Sequence, residues 1–293
     1  MPVTDSILRY PGGKTQLANF IRFLFSLNQL NQPIYCEPFC GGAGVAIKLL
    51  LANEVSAVVL NDYDISIYSI WKAVLDDTAL LINKIRNTDI TIEGWKKQRS
   101  IYQTLKDIDT YNFDLAFATL FLNRTNRSGI ISGGPIGGIE QKSKYSLNCR
   151  FNKTTIINKI TKIAKERNKI HLYNKDGKKF IDYILPKYIN DPEKQVFVFF
   201  DPPYIKKGKD LYKNCLTLSD HLELAQDIQK LHEIKWITTY DHEPILLEMY
   251  KQSCQYEYSI RYSAAAKETK KEYLFSNPST ILRPFKNVDL KIV

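Results

Sequence analysis

The arrangement that most constrains this chain lies near its N-terminus: a strand, a glycine loop, a helix, a second strand and an acid. Ile34–Glu37 (IYCE) is a compact strand candidate, followed by Gly41, Gly42 and Gly44 and by the helix-forming run GVAIKLLLANE. Ala57–Leu60 reads as the second strand and ends at Asn61-Asp62. This order predicts the front half of a doubly wound nucleotide-binding sheet. Glycines after the first strand let a ligand approach the backbone, and an acid after the second suits ribose hydroxyls. The dinucleotide fingerprint G-x-G-x-x-G is incomplete. Gly42 and Gly44 fit it, but Ile47 stands at the third position, which argues against a nicotinamide cofactor.

Alternation of strands and helices is lost and then regained further along. Ile65 to Val74 continues as an amphipathic helix, and from about 80 to 168 the pattern is helical segments and polar loops. Ser132 to Gly138 (SGGPIGG) reads as a flexible loop. Ile156, Ile157, Ile160, Ile163 and Ala164 recur at helical spacing with Lys159, Lys162, Lys165 and Arg167 opposite, so that helix presents a basic face. Val196–Phe200 is a continuous apolar run suited to a central strand buried on both faces. Leu218 to Leu231 reads as a helix capped by Ser219, Trp236 to Thr239 as a strand, and Glu272 to Ser276 as a late strand. The simplest architecture is one α/β domain interrupted by a largely helical, basic insertion.

Composition supports that plan. With 44% hydrophobic and 25% charged residues the chain is neither disordered nor collagen-like. No apolar run approaches the roughly 20 residues that cross a bilayer. The N-terminus lacks the basic-then-apolar plan of a signal peptide, and the five cysteines (36, 40, 149, 215, 254) are too scattered for a disulfide framework. A cytoplasmic protein with reduced thiols is expected. The formal charge of +10 is localised: Lys84 to Lys187 holds 21 basic and 9 acidic residues, against 20 and 22 elsewhere. Either a polyanion partner such as nucleic acid or a solvated lysine-rich helical surface accounts for this.

The strongest chemical signal is Asp201-Pro202-Pro203-Tyr204, directly after the apolar run at 196–200. Ligands of open α/β sheets bind at the carboxyl ends of strands. There Asp201 and the Pro202 carbonyl can each accept one N–H of an exocyclic amine such as adenine N6, and Tyr204 offers a face for a flipped base. An ordinary strand-ending turn is the other reading of the same residues. Arg9-Tyr10-Pro11-Gly12-Gly13-Lys14-Thr15 mimics the end of a phosphate loop, but Leu8 stands where its first glycine is required. The four histidines (171, 221, 232, 242) are dispersed and read as structural, and no metal is expected.

Taken in order, PGGK, EPFCGGAG, NDYD and DPPY resemble the motifs of the Dam-like (D12 class) DNA adenine-N6 methyltransferases. FLNRTNRSGI (Phe121 to Ile130) and YSLNCRFNK (Tyr145 to Lys153) look like parts of that family's recognition region. The resemblance implies a Rossmann-like, S-adenosylmethionine-dependent methyltransferase sheet over 1–65 and 169–293, with an inserted target-recognition domain over 66–168. It implies that Tyr10, Lys14, Glu37, Phe39, Gly41, Asp62, Asp176 and Asp201 line the cofactor pocket. Asp201, Pro202 and Tyr204 would hold the adenine, and Arg9, Asn123, Arg124, Arg127, Arg150 and Asn152 would meet double-stranded DNA. GATC-methylating members carry Tyr-Asn-Gly where this chain has Arg127-Ser128-Gly129, which argues against GATC as the target. No obligatory protein partner is expected, so the chain would be a monomer or weak dimer. An RNA or protein amine methyltransferase on the same core, or a DNA-binding relative without catalysis, is the alternative.

Overall fold

Strand β4 (Val196–Phe200) shows why the sheet is covered on both sides. All five residues are buried, and successive side chains of a strand point to opposite faces. Val196, Val198 and Phe200 join one core cluster with Leu224, Ala225 and Ile228 of the helix Leu218–Gln229. Phe197 belongs to the other face, where its ring lies 5.2 Å from Phe25 of helix α1 (Ala18–Leu27) and 6.3 Å from Tyr35. A strand apolar on both faces needs a layer on each side of the sheet.

The computed structural model describes residues 4–10, 13–191, 193–205, 216–262 and 268–293. Pro11 and Gly12 of the PGGK motif, and Cys215, lie outside the described residues. Around β4 run β1 (Ile34–Glu37), β2 (Ala57–Asn61), β3 (Ile170–Tyr173), β5 (Lys235–Asp241), β6 (Cys254–Tyr262), β7 (Glu268–Ser276) and β8 (Leu290–Ile292). Their order in the sheet is β3-β2-β1-β4-β5-β7-β6-β8. The first five are parallel, while β7 is antiparallel to β5, and β6 is antiparallel to both β7 and β8. The winding direction reverses between β1 and β4, which makes the crevice at their carboxyl ends the switch point of a doubly wound sheet. Cys36 pairs with Val59 on one side and Val198 on the other, so β1, β2 and β4 finish along the same edge.

Several boundaries differ from the sequence reading. The late strand is a full partner in a nine-residue hairpin, paired from Cys254↔Ser276 to Tyr262↔Glu268. Thr217, not Ser219, caps the helix Leu218–Gln229. Its hydroxyl accepts from Asp220 N and the Asp220 carboxylate accepts from Thr217 N at 2.7 Å, a reciprocal capping box.

Packing divides the chain into two units, one of Lys14–Tyr63 and Lys169–Val293 with Thr4, the other of Asp64–Asn168 with the described part of Asp5–Gly13. The second unit is built on helices α3 (Ile65–Asp76), α4 (Thr78–Arg86), α5 (Ile92–Leu105), α6 (Phe113–Thr125) and α7 (Lys153–Lys165). Helix α6 (FDLAFATLFLNRT) is buried along nearly its whole length and takes the centre, against α3 and α5. Helix α7 buries Ile156, Ile160 and Ile163, as its spacing requires.

Two features of this unit go beyond the sequence reading. The described part of 5–13 packs with 64–168, where Asn123 clamps the Arg9 backbone. Arg9 N donates to Asn123 Oδ1 at 2.8 Å, and Asn123 Nδ2 donates to Arg9 O at 3.0 Å. The stretch Ser132 to Gly138 is pinned rather than free: Arg127 N donates to Gly134 O and Ile136 N to Thr125 O, with Pro135 buried and bridged to Asn126.

Candidate active site

Three carboxylates close the carboxyl ends of three adjacent parallel strands: Glu37 on β1, Asp62 after β2 and Asp201 after β4. Glu37 is 5% exposed, and its Oε1 accepts from Tyr35 OH at 3.0 Å and from Ala46 N, in the first turn of α2 (Gly44–Leu51), at 3.1 Å. Burial pushes this carboxyl up to about 8; the two hydrogen bonds oppose the rise and the charge of Asp201 adds to it. Asp62 Oδ2 accepts from Gly41 N at 2.8 Å, which stitches the glycine loop to the end of β2. At Gly44 a Cβ would stand 2.1 Å from Thr15 Oγ1, so only glycine allows the Thr15 turn to come this close.

Asn61, which carried no role in the sequence reading, organises the same edge. Its amide donates to Pro38 O and Lys175 O, both at 2.8 Å, and accepts from Lys175 N at 2.9 Å. It thereby holds the glycine loop and the 174–176 segment together. Phe39 packs beside them, since a Cβ on Gly177 would stand 2.8 Å from its ring. Asp176 caps the turn that follows, accepting from Lys179 N at 2.8 Å and pairing with Lys179 Nζ at 3.4 Å.

The DPPY segment is tied down by residues distant in sequence. Lys14, 4% exposed, places its ammonium 3.2 Å from Asp201 Oδ1, 3.6 Å from Glu272 Oε2 and 4.7 Å from the centroid of the Tyr204 ring. It also donates to the Tyr204 hydroxyl. That hydroxyl donates in turn to Glu272 Oε1 at 2.8 Å, and Tyr258 OH donates to Glu272 Oε2 at 2.5 Å. Thr239 on β5 donates to Asp201 Oδ1 at 2.8 Å, and Asp241 accepts from Ile205 N at 3.4 Å. Burial raises the Asp201 carboxyl above its usual range; Lys14 works against the rise and Glu272 with it. Glu272 and Tyr258 escaped the sequence reading. Pro202 and Tyr204 are buried, so Tyr204 presents less open ring than the sequence reading expects, and the Lys14 ammonium sits at its hydroxyl edge.

In the second unit the structure brings Arg9, Arg124 and Arg150 together. Burial, then the charges of Arg9 and Arg150, bring the Arg124 guanidinium down to about 10, and burial and Arg150 also lower Arg9. Arg9 Nη1 donates to Asn126 O at 3.0 Å. Among the described residues none of the three makes an ion pair with a carboxylate. Asn123, expected to meet DNA, lies inside the unit. It is 1% exposed and its amide is engaged by Arg9 and by Gly129 O. Asn152 caps α7, accepting from Thr155 N at 2.9 Å. Arg127 is exposed. Tyr10 is half-buried, and its carbonyl accepts from Gly13 N. On the basic helix Lys162 and Lys165 are exposed, whereas Lys159 donates to Ser6 O and Arg167 pairs with Asp76.

The doubly wound, mixed sheet with acids along its carboxyl edge and DPPY after a central strand has the Rossmann-like plan of a nucleotide-binding enzyme. The family model of the D12 class N6 adenine-specific DNA methyltransferases matches residues 10–271, and the chain belongs to that family. It is therefore an S-adenosylmethionine-dependent enzyme that methylates adenine N6 in DNA site-specifically. The type II methyltransferase M.MjaIII of Methanocaldococcus jannaschii is 24% identical over 242 residues, 76% of this chain and 79% of that protein. The rRNA methyltransferase AviRa of Streptomyces viridochromogenes aligns over 92% of this chain and 87% of its own, at 9% identity and a TM-score of 0.38. A SAM-dependent methyltransferase of Agrobacterium tumefaciens aligns over 90% of this chain and 61% of its own, at 13% identity and a TM-score of 0.36. No helix among the described residues is long and apolar enough to cross a membrane.

Proposed function

We propose that Asp201, the Pro202 carbonyl and Tyr204 hold an adenine extruded from double-stranded DNA, and that the strand-end acids hold the methyl donor. The observation that carries this reading is the position of the Lys14 ammonium. It reaches Asp201 Oδ1 at 3.2 Å and donates to the Tyr204 hydroxyl, so the Asp201 carboxylate already accepts an N–H donor beside the Tyr204 ring, as it would the exocyclic amine of a base. The acids fit S-adenosylmethionine by their chemistry: a ligand with ribose hydroxyls, an ammonium and a sulfonium suits three carboxylates on one edge. Glu37, Asp62 and Asp201, with Lys14, Phe39, Gly41 and Asp176, would line its site. Bound there, it supplies an electrophilic methyl and a neutral thioether leaving group.

The chain's own residues then act on the amine. Asp201 and the Pro202 carbonyl each accept one N–H, which localises the N6 lone pair toward the methyl carbon. As the N–C bond forms, the pair of the breaking C–S bond stays on sulfur. The nitrogen, now cationic, loses one proton to Asp201, whose raised affinity for protons suits it as acceptor.

The unit over 64–168, with Arg9, is the DNA-recognition part in this reading. Three half-buried guanidiniums with no carboxylate partner among the described residues suit phosphate oxygens, and exposed Arg127 suits a guanine edge. Contacts of this kind offset the few kcal/mol needed to flip a base. Asn123 and Asn152 brace that surface rather than forming it. The chain would work in the cytoplasm as a monomer or weak dimer, in restriction-modification. Long-read sequencing of DNA from a methylation-free host expressing the protein tests the reading. We expect N6-methyladenine at one recurrent motif with the wild type and none with Asp201→Ala; methylation by Asp201→Ala would refute the amine clamp.

A further inference from the structure

We propose that Glu272, on the antiparallel strand β7, is a positioning residue for methyl transfer, keeping Asp201 available to the substrate amine by sharing the Lys14 ammonium and anchoring Tyr204. The proposal rests on the reading of Asp201 and Tyr204 given above. Glu272 lies one residue past the stretch the family model matches.

The geometry gives each Glu272 oxygen a separate task. Oε1 receives the Tyr204 hydroxyl at 2.8 Å, which fixes the ring against which the base would stack. Oε2 receives the Tyr258 hydroxyl at 2.5 Å and lies 3.6 Å from Lys14 Nζ. Glu272 is 3% exposed and Tyr258 1%, so neither contact is diluted by solvent. A buried carboxylate is kept in place only by such partners.

One ammonium between two carboxylates has a consequence for the reaction. With Glu272 present, Lys14 divides its attraction between Oε2 and Asp201 Oδ1. Without that charge Lys14 would be drawn more strongly to Asp201 and compete with the incoming amine for the same oxygen. Asp201 would also lose a neighbour that favours its protonated form. The other groups facing Asp201 are Glu37 and Tyr35 on β1 and Thr239 and Tyr240 on β5. All of these are unchanged by a substitution at 272.

The test uses the full chain, tritiated S-adenosylmethionine and genomic DNA free of N6-methyladenine. Glu272→Gln keeps the shape and removes the charge. We expect kcat to fall on the order of 10²-fold, as misplacement of a reacting group does, with S-adenosylmethionine affinity by calorimetry unchanged. We also expect the acid limb of the kcat profile to move to lower pH, because Asp201 must be ionised to accept the amine and has lost a like charge. A strut that only holds the fold would lower activity without moving the limb, and that result overturns the proposal, as does an unchanged kcat. If Glu272→Gln does not fold, Tyr258→Phe, which removes one hydroxyl, is judged by the same readouts. Asp201→Ala separates the two readings. Activity in Asp201→Ala refutes the amine clamp itself, whereas an inactive Asp201→Ala beside a normal Glu272→Gln refutes only the role of Glu272.

Discussion

Glu37→Gln should make the protein more stable above neutral pH, and the size of the gain follows from where this carboxyl sits. Glu37 is buried at the end of β1, with Oε1 already accepting from Tyr35 and Ala46. An amide oxygen can accept both bonds, so the substitution removes the ionisation and little else. Burial first, and Asp201 in addition, hold the folded-state pKa at about 8, against 4.5 for an unperturbed glutamate. The folded chain therefore binds one proton more than the unfolded chain between these values. Stability from this group is fully present below about pH 4.5 and is lost as pH rises to about 8. At about 1.4 kcal/mol per pH unit, the whole interval is worth at most about 5 kcal/mol. Urea unfolding of both proteins from pH 5 to 8.5 measures this directly. The two stability curves should meet near pH 5 and separate upward, with Glu37→Gln the flatter. Curves that stay parallel over the range would refute the buried, protonated carboxyl. A cationic ligand at this edge favours the ionised form, so cofactor binding near pH 7 should release a proton in the wild type only. Calorimetry in buffers of different ionisation enthalpy reads that release.

Gly129→Ala should destabilise the unit over 64–168, since Gly129 has φ of +80° and a Cβ there would meet Arg9 O at 2.1 Å. The left-handed conformation alone costs about 1–2 kcal/mol, and pushing Arg9 away breaks the Asn123 clamp as well; an unchanged urea midpoint would refute this. Arg127→Ala should cost about 1–3 kcal/mol on the cognate duplex and little on random DNA, whereas Lys162→Ala should weaken both alike and lower the salt slope by about one. Equal losses for Arg127→Ala on the two duplexes would move it from base reader to phosphate contact.

What the sequence determined by itself was the local grammar of the catalytic core. Strand β1, the glycine loop and β2 were legible because apolar runs and glycines report their own backbone, and the acid after β2 follows from strand order. The apolar run at 196–200 announced a central strand, and DPPY after it announced chemistry because parallel strands deliver ligands at their carboxyl ends. Tertiary structure decided everything that depends on partners far along the chain. Lys14 meets Tyr204 across 190 residues, and Tyr204 meets Glu272 across 68. No periodicity marks Glu272, because a buried carboxylate on a strand is explicable only by the donors around it. The same holds for Asn123 and Asn61, whose amides clamp backbone 114 residues away. The described part of 5–13 groups with the unit over 64–168 through such contacts, Asn123 with the Arg9 backbone and Lys159 with Ser6 O. A short stretch of irregular backbone has no pattern of its own, and its place is set by whichever buried side chain satisfies its N–H and C=O groups.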